Sequence, residues 1–344
     1  MGIIFPSIFL SIFGLFNLFG INQVLFWRQL INTLLAFLIF FLIKKLSFNF
    51  FKINAKFFYW FFLIALIITY IIGAEIKGSK RWIDLYFFNF QSSEFLKPFF
   101  ILYLSDFLSS KKIFENNFSF FLKSFFIFFA PFIIIFKQPD LANAISFLVI
   151  YLVMIFFSNL PKKYLGYFGF LAVSFLPFIW FLLKPYQKLR ILAFFNPHYD
   201  LQGASYNIVQ SIITIGSGGF FGKGLGLGTQ SRLYFLPENT TDFAFASLVE
   251  QFGFFGGFLV IVFYLILIFY LSQKTVKYFF ERYNQEKLMK FYFLLGMLVY
   301  LVFQFFVNVG MNMGILPVAG VALPFISYGG SVILALMIGL ALIP

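Results

Sequence analysis

DFAFASLVEQFGFFGGFLVIVFYLILIFYL, residues 242–271, is the stretch of sequence that decides the fold of this protein. From residue 244 it is an almost continuous apolar run, and a helix needs about 20 mostly apolar residues to cross the hydrocarbon core of a bilayer. We therefore predict a spanning helix over 244–271, and the glycines of GFFGG (253–257) predict a bend inside it. Asp242 stands at the threshold of this run, where a carboxylate is costly if it is buried and ordinary if it is solvated.

The composition extends this interpretation to the whole chain. Of 344 residues, 62% are hydrophobic and only 11% are charged, whereas soluble domains average about 45–50% apolar and about 25% charged residues. One core cannot hide so much apolar surface, so the solvent must be a lipid bilayer. Backbone groups in lipid must pair internally, and no segment has the alternation of a β-barrel. We therefore predict an all-α integral membrane protein.

Cysteine, histidine and charge exclude several classes of function. The chain has no cysteine and one histidine, His198, which excludes disulfides and thiolate sites and argues against a zinc site. The net charge of +13 indicates lysines in cytoplasmic loops and attraction to anionic membrane lipids. We do not expect a nucleic-acid partner.

The apolar segments predict ten transmembrane helices. We place them at 3–19, 26–44, 57–74, 93–108, 119–136, 141–157, 164–183, 244–271, 288–309 and 321–343. Lysine and arginine are concentrated in the connections after the second, fourth, sixth and eighth helices. By the positive-inside rule both termini are then cytoplasmic, and the large loop 184–243 between helices seven and eight is extracytoplasmic. We expect one polytopic membrane domain over 1–344.

Four polar clusters fall on the predicted outer face, and the first lies around the start of the fourth helix. Arg81 and Asp84 are three residues apart, as are Glu94 and Lys97, so each pair can share a helix face. A self-satisfied ion pair near the interface accounts for this spacing as well as a functional site does. Ionisable residues inside a membrane are nevertheless functional candidates by default.

Two further clusters are more structural in character. In KQPDLANAI (137–145), Asp140 is better explained as a helix cap than as a chemical group. In NVGMNMGILPVAGVALPFISYGGS (308–331), glycines and prolines interrupt the helix, which is tolerated where backbone is buried in protein or lines a wet cavity. We interpret the polar side chains of this segment as the wall of a cavity, and they are Asn308, Asn312, Ser327 and Tyr328.

The fourth cluster is a glycine-rich loop with cations around it. GSGGFFGKGLGLG (216–228) has seven glycines in thirteen residues, but it lacks the spacing of a P-loop. Glycines let backbone N–H groups approach a ligand closely, and Lys223 adds a positive charge. With Lys188, Arg190 and Arg232 nearby in sequence, the loop suits a lipid-linked pyrophosphate at the membrane surface. The alternative is a tight turn with solvated lysines.

Several blocks of the chain together resemble the SEDS family (shape, elongation, division and sporulation) of membrane proteins. They are RWIDL, SSEFLK, QPDLANA, GASYNIVQS, GSGGFFGKGLGLGTQS, FLPENTTDFAFASLVEQFG and the 308–331 block, and they occur in order from about residue 25 to the end. GKG (222–224) and GTQS (228–231) are more similar to the RodA (elongation) branch than to the FtsW (division) branch. Ala319, Ala322 and Ser92 depart from the usual family pattern, but they lie away from the acidic block around Asp242.

The resemblance implies a peptidoglycan glycosyltransferase in the bacterial cytoplasmic membrane. Such proteins polymerise lipid II on the outer face, usually with a class B penicillin-binding protein as partner. The essential aspartate of the family corresponds to Asp242, which we expect to act as general base. Our candidates for contact with the substrate are Arg81, Glu94, Lys97, Lys188, Arg190, Lys223, Gln230, Ser231 and Glu250.

The implied reaction turns an α-linked donor into a β-linked product, so a single inverting displacement suffices. It needs a base for the acceptor hydroxyl and cations for the departing pyrophosphate. Mg²⁺ or another divalent cation could share the second task, although no two carboxylates stand at a metal-binding spacing, and we assign no cofactor. Two other functions stay open at this point: a lipid II flippase, and a non-catalytic scaffold for the penicillin-binding protein.

Overall fold

The structure, a computed structural model, describes residues 2–76, 79–84, 88–110, 117–183, 185–196, 204–282 and 284–344. Most of these residues are helical, and the helices are α1 (Ile4–Ile21), α2 (Gln23–Lys45), α3 (Phe48–Ile53), α4 (Ala55–Ile72), α5 (Ser92–Ser109), α6 (Asn117–Lys137), α7 (Leu141–Phe156), α8 (Lys163–Leu182), α9 (Pro185–Phe195), α10 (Ala204–Ser217), α11 (Thr229–Arg232), α12 (Ala244–Phe280), α13 (Gln285–Asn312) and α14 (Gly330–Ala341). The strands are β1 (Ala74–Ile76), β2 (Ser79–Asp84) and β3 (Asn89–Phe90). The predicted helical character of the fold is confirmed.

Each predicted span overlaps one of these helices. Among the described residues, six helices are long and apolar enough to cross a membrane, namely α1, α2, α4, α6, α12 and α13. The helices α7 and α14 are apolar but shorter, with 16 and 12 residues. The chain is therefore a multi-pass membrane protein, whereas the number of ten crossings stays a prediction.

The last predicted span, 321–343, is wrong in its first half, because only Gly330–Ala341 is helical. Pro324 lacks the N–H group that a helix interior needs, and Phe325 has a φ of 70°. The irregular backbone before α14 instead pairs with side chains, as where the N–H of Leu323 donates to Ser327 Oγ at 2.9 Å.

The predicted loop 184–243 contains helices of its own. It includes α9, α10 and α11. Ile208 of α10 belongs to a buried apolar cluster with Leu236, Phe243, Ala246 and Val318. Residues on both sides of Asp242 are therefore packed into a core and do not form an open loop.

The structure also contains a small antiparallel sheet, so the described fold is not purely helical. The strands lie in the order β1-β2-β3, with Ala74 opposite Trp82 and Asp84 opposite Asn89. This segment carries Lys80, Arg81 and Asp84 and is too polar to continue into the membrane. Its backbone groups still need partners, and neighbouring strands supply them.

The chain forms two compact units, each assembled from three segments. Unit one comprises Met1–Leu35, Trp180–Tyr270 and Val302–Gly329, and unit two comprises Ala36–Ile179, Leu271–Leu301 and Gly330–Pro344. In unit one, Phe9 stacks on Phe263 with ring centroids 3.8 Å apart, and Tyr264 stacks on Phe305 at 4.8 Å. In unit two, α5 is buried along almost its whole length and packs against α4, α6, α7 and α14. The single-domain organisation of 1–344 stays a prediction.

Candidate functional site

Asp242 lies in unit one, in a turn that leads into α12, and it is half-buried. Its backbone carbonyl accepts two hydrogen bonds, from Asn308 Nδ2 and from Asn312 Nδ2, each at 3.0 Å. The two asparagines are four residues apart on α13 and therefore share one face of that helix. Both are fully buried, so the backbone at Asp242 is held by two amides that water does not reach.

The two residues before Asp242 are held in the same way. Ser327 Oγ donates to the carbonyl of Thr241 at 2.6 Å, and the N–H of Tyr328 donates to the carbonyl of Thr240 at 2.7 Å. Three successive carbonyls, 240 to 242, thus have donors from the 308–328 segment. We predicted Asn308, Asn312, Ser327 and Tyr328 as a cavity wall; the structure gives them a more specific task, which is to fix the backbone that carries Asp242.

Asn312 also joins this turn to the start of α12. Its Oδ1 accepts from the N–H of Ala246 at 3.0 Å, and this N–H belongs to the first turn of the helix, where no carbonyl of the helix itself can pair with it. Its carbonyl accepts from Ser211 Oγ of α10 at 2.8 Å. One buried asparagine therefore links α10, α12, α13 and the turn of Asp242.

Three of the predicted substrate-binding residues, Lys223, Gln230 and Ser231, come together around a fourth, Glu250. Its Oε1 accepts from Lys223 Nζ at 3.1 Å and from the N–H of Gln230 at 2.9 Å. Its Oε2 accepts from the N–H and the Oγ of Ser231, at 2.9 and 2.6 Å. The Lys223 ammonium also donates to Thr229 Oγ1 at 2.8 Å. Charge and hydrogen bonds in this group are thus largely satisfied within the protein.

The bend that we predicted in the long span lies at Gly253. This residue has a φ of 71° and divides α12 into two helical parts. The glycine-rich loop fills the break: Lys223 N–H donates to the carbonyl of Glu250 at 2.9 Å, and Gly224 N–H donates to that of Gln251 at 3.1 Å. These N–H groups are therefore engaged inside the protein, and the geometry does not favour an open N–H cradle for an anion at this part of the loop.

A second polar cluster lies in unit two. Lys97 Nζ is 2.8 Å from Glu94 Oε1, and both side chains are buried. Tyr300 completes the group, because its hydroxyl donates to Glu94 Oε2 at 3.2 Å and its ring centroid is 5.0 Å from Lys97 Nζ. The spacing of three residues on one helix face thus predicted a real ion pair, and Tyr300 is the member that we missed.

The predicted helix face shared by Arg81 and Asp84 is wrong, because both residues lie in strand β2. Arg81 instead reaches the 138–140 turn: its guanidinium donates to the carbonyls of Gln138 and Pro139 and lies 3.7 Å from Asp140 Oδ1. Asp140 caps α7 as predicted, accepting from the N–H of Asn143 at 3.4 Å. The same carboxylate accepts from Gln91 Nε2 at 3.4 Å.

The remaining predicted cations are Lys188, Arg190 and Arg232. Lys188 of α9 is half-buried, with its Nζ 5.7 Å from the ring centroid of Trp180. Arg232 is exposed and donates one hydrogen bond, to the carbonyl of Gly226 at 3.0 Å. The side chain of Arg190 and the whole of His198 lie outside the described residues. Across the part of the chain that the structure describes, no three acidic or histidine side chains form a group that could hold a metal ion.

Sequence reasoning missed a buried polar chain behind the Asp242 turn. Asn17 of α1 donates to Ser247 Oγ at 3.1 Å and accepts from Gln251 Nε2 at 2.7 Å. Ser247 Oγ in turn donates to the carbonyl of Asn239 at 2.8 Å. The available signal was that Asn17 is a strongly polar residue inside an otherwise apolar span, where such residues usually pair with other helices.

These features define a class: a polytopic helical membrane protein in which the turn before α12 presents a half-buried aspartate. The chain matches the family model of the FtsW, RodA and SpoVE cell cycle proteins over residues 1–344, and it belongs to this family.

Individual relatives and solved structures are similar over most of their length. The chain is 36% identical over 293 residues to the peptidoglycan glycosyltransferase MrdB of Escherichia coli K12, covering 84% of this chain and 76% of the relative. It is 34% identical over 322 residues to the probable peptidoglycan glycosyltransferase FtsW of Wigglesworthia glossinidia brevipalpis, covering 92% and 82%. A chain of a peptidoglycan synthase complex that coordinates polymerization and crosslinking matches with a TM-score of 0.80 at 28% identity, covering 99% of this chain and 95% of that one. The rod shape determining protein RodA of Thermus thermophilus matches with a TM-score of 0.72 at 26% identity, covering 99% and 93%.

Proposed function

We propose that this protein is a peptidoglycan glycosyltransferase that polymerises lipid II, with Asp242 as the general base. Membership of the family and the activity named for its relatives support the reaction class. The observation that carries the residue assignment is the held turn: the carbonyls of residues 240 to 242 all have donors from the 308–328 segment. A general base must sit at a defined place beside the hydroxyl that it deprotonates, and a turn held in this way provides one.

The proposed mechanism is a single inverting displacement. The carboxylate of Asp242 accepts the proton of the acceptor sugar hydroxyl while that oxygen forms a bond to the donor anomeric carbon. The bond from this carbon to the pyrophosphate oxygen breaks, and the electron pair leaves with undecaprenyl pyrophosphate. Positive side chains near the leaving group stabilise its charge.

The structure narrows the pool of cations for this task. Lys223 pairs with Glu250, Lys97 pairs with Glu94, and Arg81 is bonded to the 138–140 turn. We therefore propose Lys188, Arg190 and Arg232 as the first candidates for the pyrophosphate. Because the described donor set does not form a metal site, the mechanism assigns no step to a metal ion.

We extend the proposal to topology and partner. Ten helices cross the bacterial cytoplasmic membrane with both termini inside, and the loop between the seventh and eighth crossings faces outward. The lysine distribution supports this orientation. A class B penicillin-binding protein is the proposed partner, supported by the similarity to a chain of a peptidoglycan synthase complex. The MrdB and RodA relatives favour a role in elongation.

The decisive test compares the wild type with Asp242→Asn in a polymerisation assay with labelled lipid II and the partner present. Loss of a general base is expected to lower the rate by a factor of about 10²–10⁴. Glu238→Gln is the matched control: this exposed acid lies four residues earlier in the same turn, and a glutamine oxygen can still accept from Thr241 Oγ1. We expect this variant to keep near-normal activity.

The outcomes separate the alternatives. Unchanged polymerisation by Asp242→Asn would remove this residue as the base. Transbilayer movement of lipid II without polymer would favour a flippase. Polymer made by the partner alone at the same rate would favour a scaffold.

A further inference from the structure

Glu250 is an unusually well-satisfied carboxylate in an apolar helix. It lies eight residues beyond Asp242, in the first part of α12, and its side chain is 0% exposed. A buried carboxylate is costly unless it is paired and hydrogen-bonded. Four donors lie within 3.1 Å of its two oxygens, so the protein has a built site for this group.

All four donors come from one segment, residues 223–231. Three of them, the N–H groups of Gln230 and Ser231 and the hydroxyl of Ser231, belong to the short helix α11. The fourth is the ammonium of Lys223 at the other end of the segment. Glu250 therefore binds the segment at both ends and does not point toward a space that a substrate could enter.

Segment 223–231 is connected in turn to the Asp242 turn. The carbonyl of Ser231 accepts from Asn239 Nδ2, and the carbonyl of Gln230 accepts from the N–H of Leu236 at 3.1 Å. Asn239 is fully buried and lies only three residues before Asp242. A displacement of α11 would therefore be transmitted to the backbone that carries the carboxylate of Asp242.

The broken helix gives the segment a second attachment. Next to Gly253, the carbonyls of Glu250 and Gln251 accept from the loop, and the N–H groups of Phe254 and Phe255 donate to the carbonyls of Gly219 and Phe220 at 2.9 and 3.1 Å. The glycine-rich loop thus pairs with two carbonyls before the break and with two N–H groups after it.

We propose that Glu250 is a positioning residue for the reaction: it locks α11 against α12 and thereby holds the turn that places Asp242. The inference rests on the proposed function, since it concerns the same site. In this proposal, Glu250, Lys223 and Ser231 hold the backbone of the site in place and do not contact lipid II.

The test is Glu250→Gln, studied by polymerisation kinetics and by hydrogen exchange of the whole protein. An amide has only one acceptor oxygen. Its NH₂ group must therefore face donor groups that gave hydrogen bonds to the second oxygen of the carboxylate. We expect kcat to fall about 10-fold or more with KM within about 2-fold, and the amides of residues 229–242 to exchange about 10-fold faster or more. The pH dependence of kcat should be unchanged, because Asp242 remains the base.

Two further variants make the result interpretable. Glu286→Gln makes the same chemical change and also removes the carboxylate of a lysine pair, Glu286–Lys290, but on an exposed part of α13. It should leave kinetics and exchange at 229–242 unchanged.

Ser231→Ala removes the 2.6 Å bond alone and keeps the other three donors. It should fold even if Glu250→Gln does not, and it should show the same changes to a smaller degree.

Each other outcome overturns the inference. A higher KM with unchanged exchange would mean that Glu250 contacts the substrate. Faster exchange with unchanged kcat would mean that α11 does not position Asp242. A wild type that failed to polymerise lipid II would contradict the proposed function. The exchange measurement needs no activity, so it would still test whether Glu250 holds α11 against α12.

Discussion

At the residue scale, the acidic candidates can be compared by the hydrogen bonds and ion pairs around them. Glu94, Glu250 and Asp140 have donors around them that account for their charge. At Asp242, the hydrogen bonds from Asn308 and Asn312 go to the backbone carbonyl and hold the turn that carries the carboxylate. The assignment of Asp242 as the proposed base therefore rests on the held turn that carries it and not on its residue type.

Asn312→Leu tests the support of the Asp242 turn. Leucine is similar in size, but it leaves the N–H of Ala246 without its acceptor. It also removes one of the two donors to the carbonyl of Asp242. An unsatisfied buried polar group costs about 1–3 kcal/mol, so we expect a lower melting temperature and a reduced kcat. Thermal unfolding in detergent and the polymerisation assay would measure both.

Asn49→Leu is the control for this substitution, because Asn49 is exposed in α3. We expect little change in either measurement. If Asn312→Leu behaved like this control, the two asparagines would not be needed to hold the turn.

At the element scale, the broken helix α12 is the central feature of unit one. The first part of α12 carries Glu250 and begins directly after Asp242, and the break at Gly253 receives the glycine-rich loop. Gly253 has φ 71° and ψ −172°, a backbone conformation that is essentially restricted to glycine. A break in a membrane helix is tolerated only where other protein groups pair with the freed backbone, and here a loop does so.

Gly253→Ala should therefore be severely destabilising. A Cβ at this position would lie 2.3 Å from the backbone nitrogen of Gly222, and the strained conformation alone costs about 1–3 kcal/mol. We expect low yield of folded protein and loss of polymerisation. Size-exclusion profiles and thermal unfolding would report the defect.

Gly169→Ala is the matched control, because a Cβ at this exposed position of α8 would meet nothing within 4 Å. Alanine is favoured over glycine in a helix by about 1 kcal/mol, so this variant should be at least as stable as the wild type. Equal behaviour of the two variants would show that the break does not depend on glycine.

At the scale of the whole molecule, the chain is a multi-pass protein of the FtsW, RodA and SpoVE family with two compact units. The proposed catalytic turn and the glycine-rich loop belong to unit one, while the Glu94–Lys97 pair and the Arg81–Asp140 cluster belong to unit two. The connections after the second, fourth, sixth and eighth predicted spans carry lysine or arginine, whereas the short connections 20–24 and 310–320 carry none. The proposed orientation therefore depends on connections along the whole chain and not on one segment.

Because the chain has no cysteine, single cysteines can report this orientation. We expect Tyr234→Cys, exposed before the Asp242 turn, to react with a membrane-impermeant maleimide added outside spheroplasts. Leu46→Cys, exposed after α2, should react only after the membrane is opened. The reverse pattern would contradict cytoplasmic termini and place Asp242 on the wrong face for lipid II polymerisation.

The sequence by itself determined the membrane class, the positions of the helices and the local pairs. Apolar runs, the three-residue spacing of Glu94 and Lys97, and the position of Asp140 before an apolar helix depend on neighbours within one or two turns. Such patterns are readable because the geometry of a helix is known in advance.

Only the tertiary structure decided which distant residues meet. Arg81 reaches a turn 57 to 58 residues away, and the asparagines that hold Asp242 are 66 and 70 residues from it. The first half of the last predicted span is not helical, and its backbone pairs with other segments, as where the N–H of Tyr328 donates to the carbonyl of Thr240. The physical reason is that a buried polar group needs some partner, but its own sequence does not specify which segment the packing of apolar helices will bring to it.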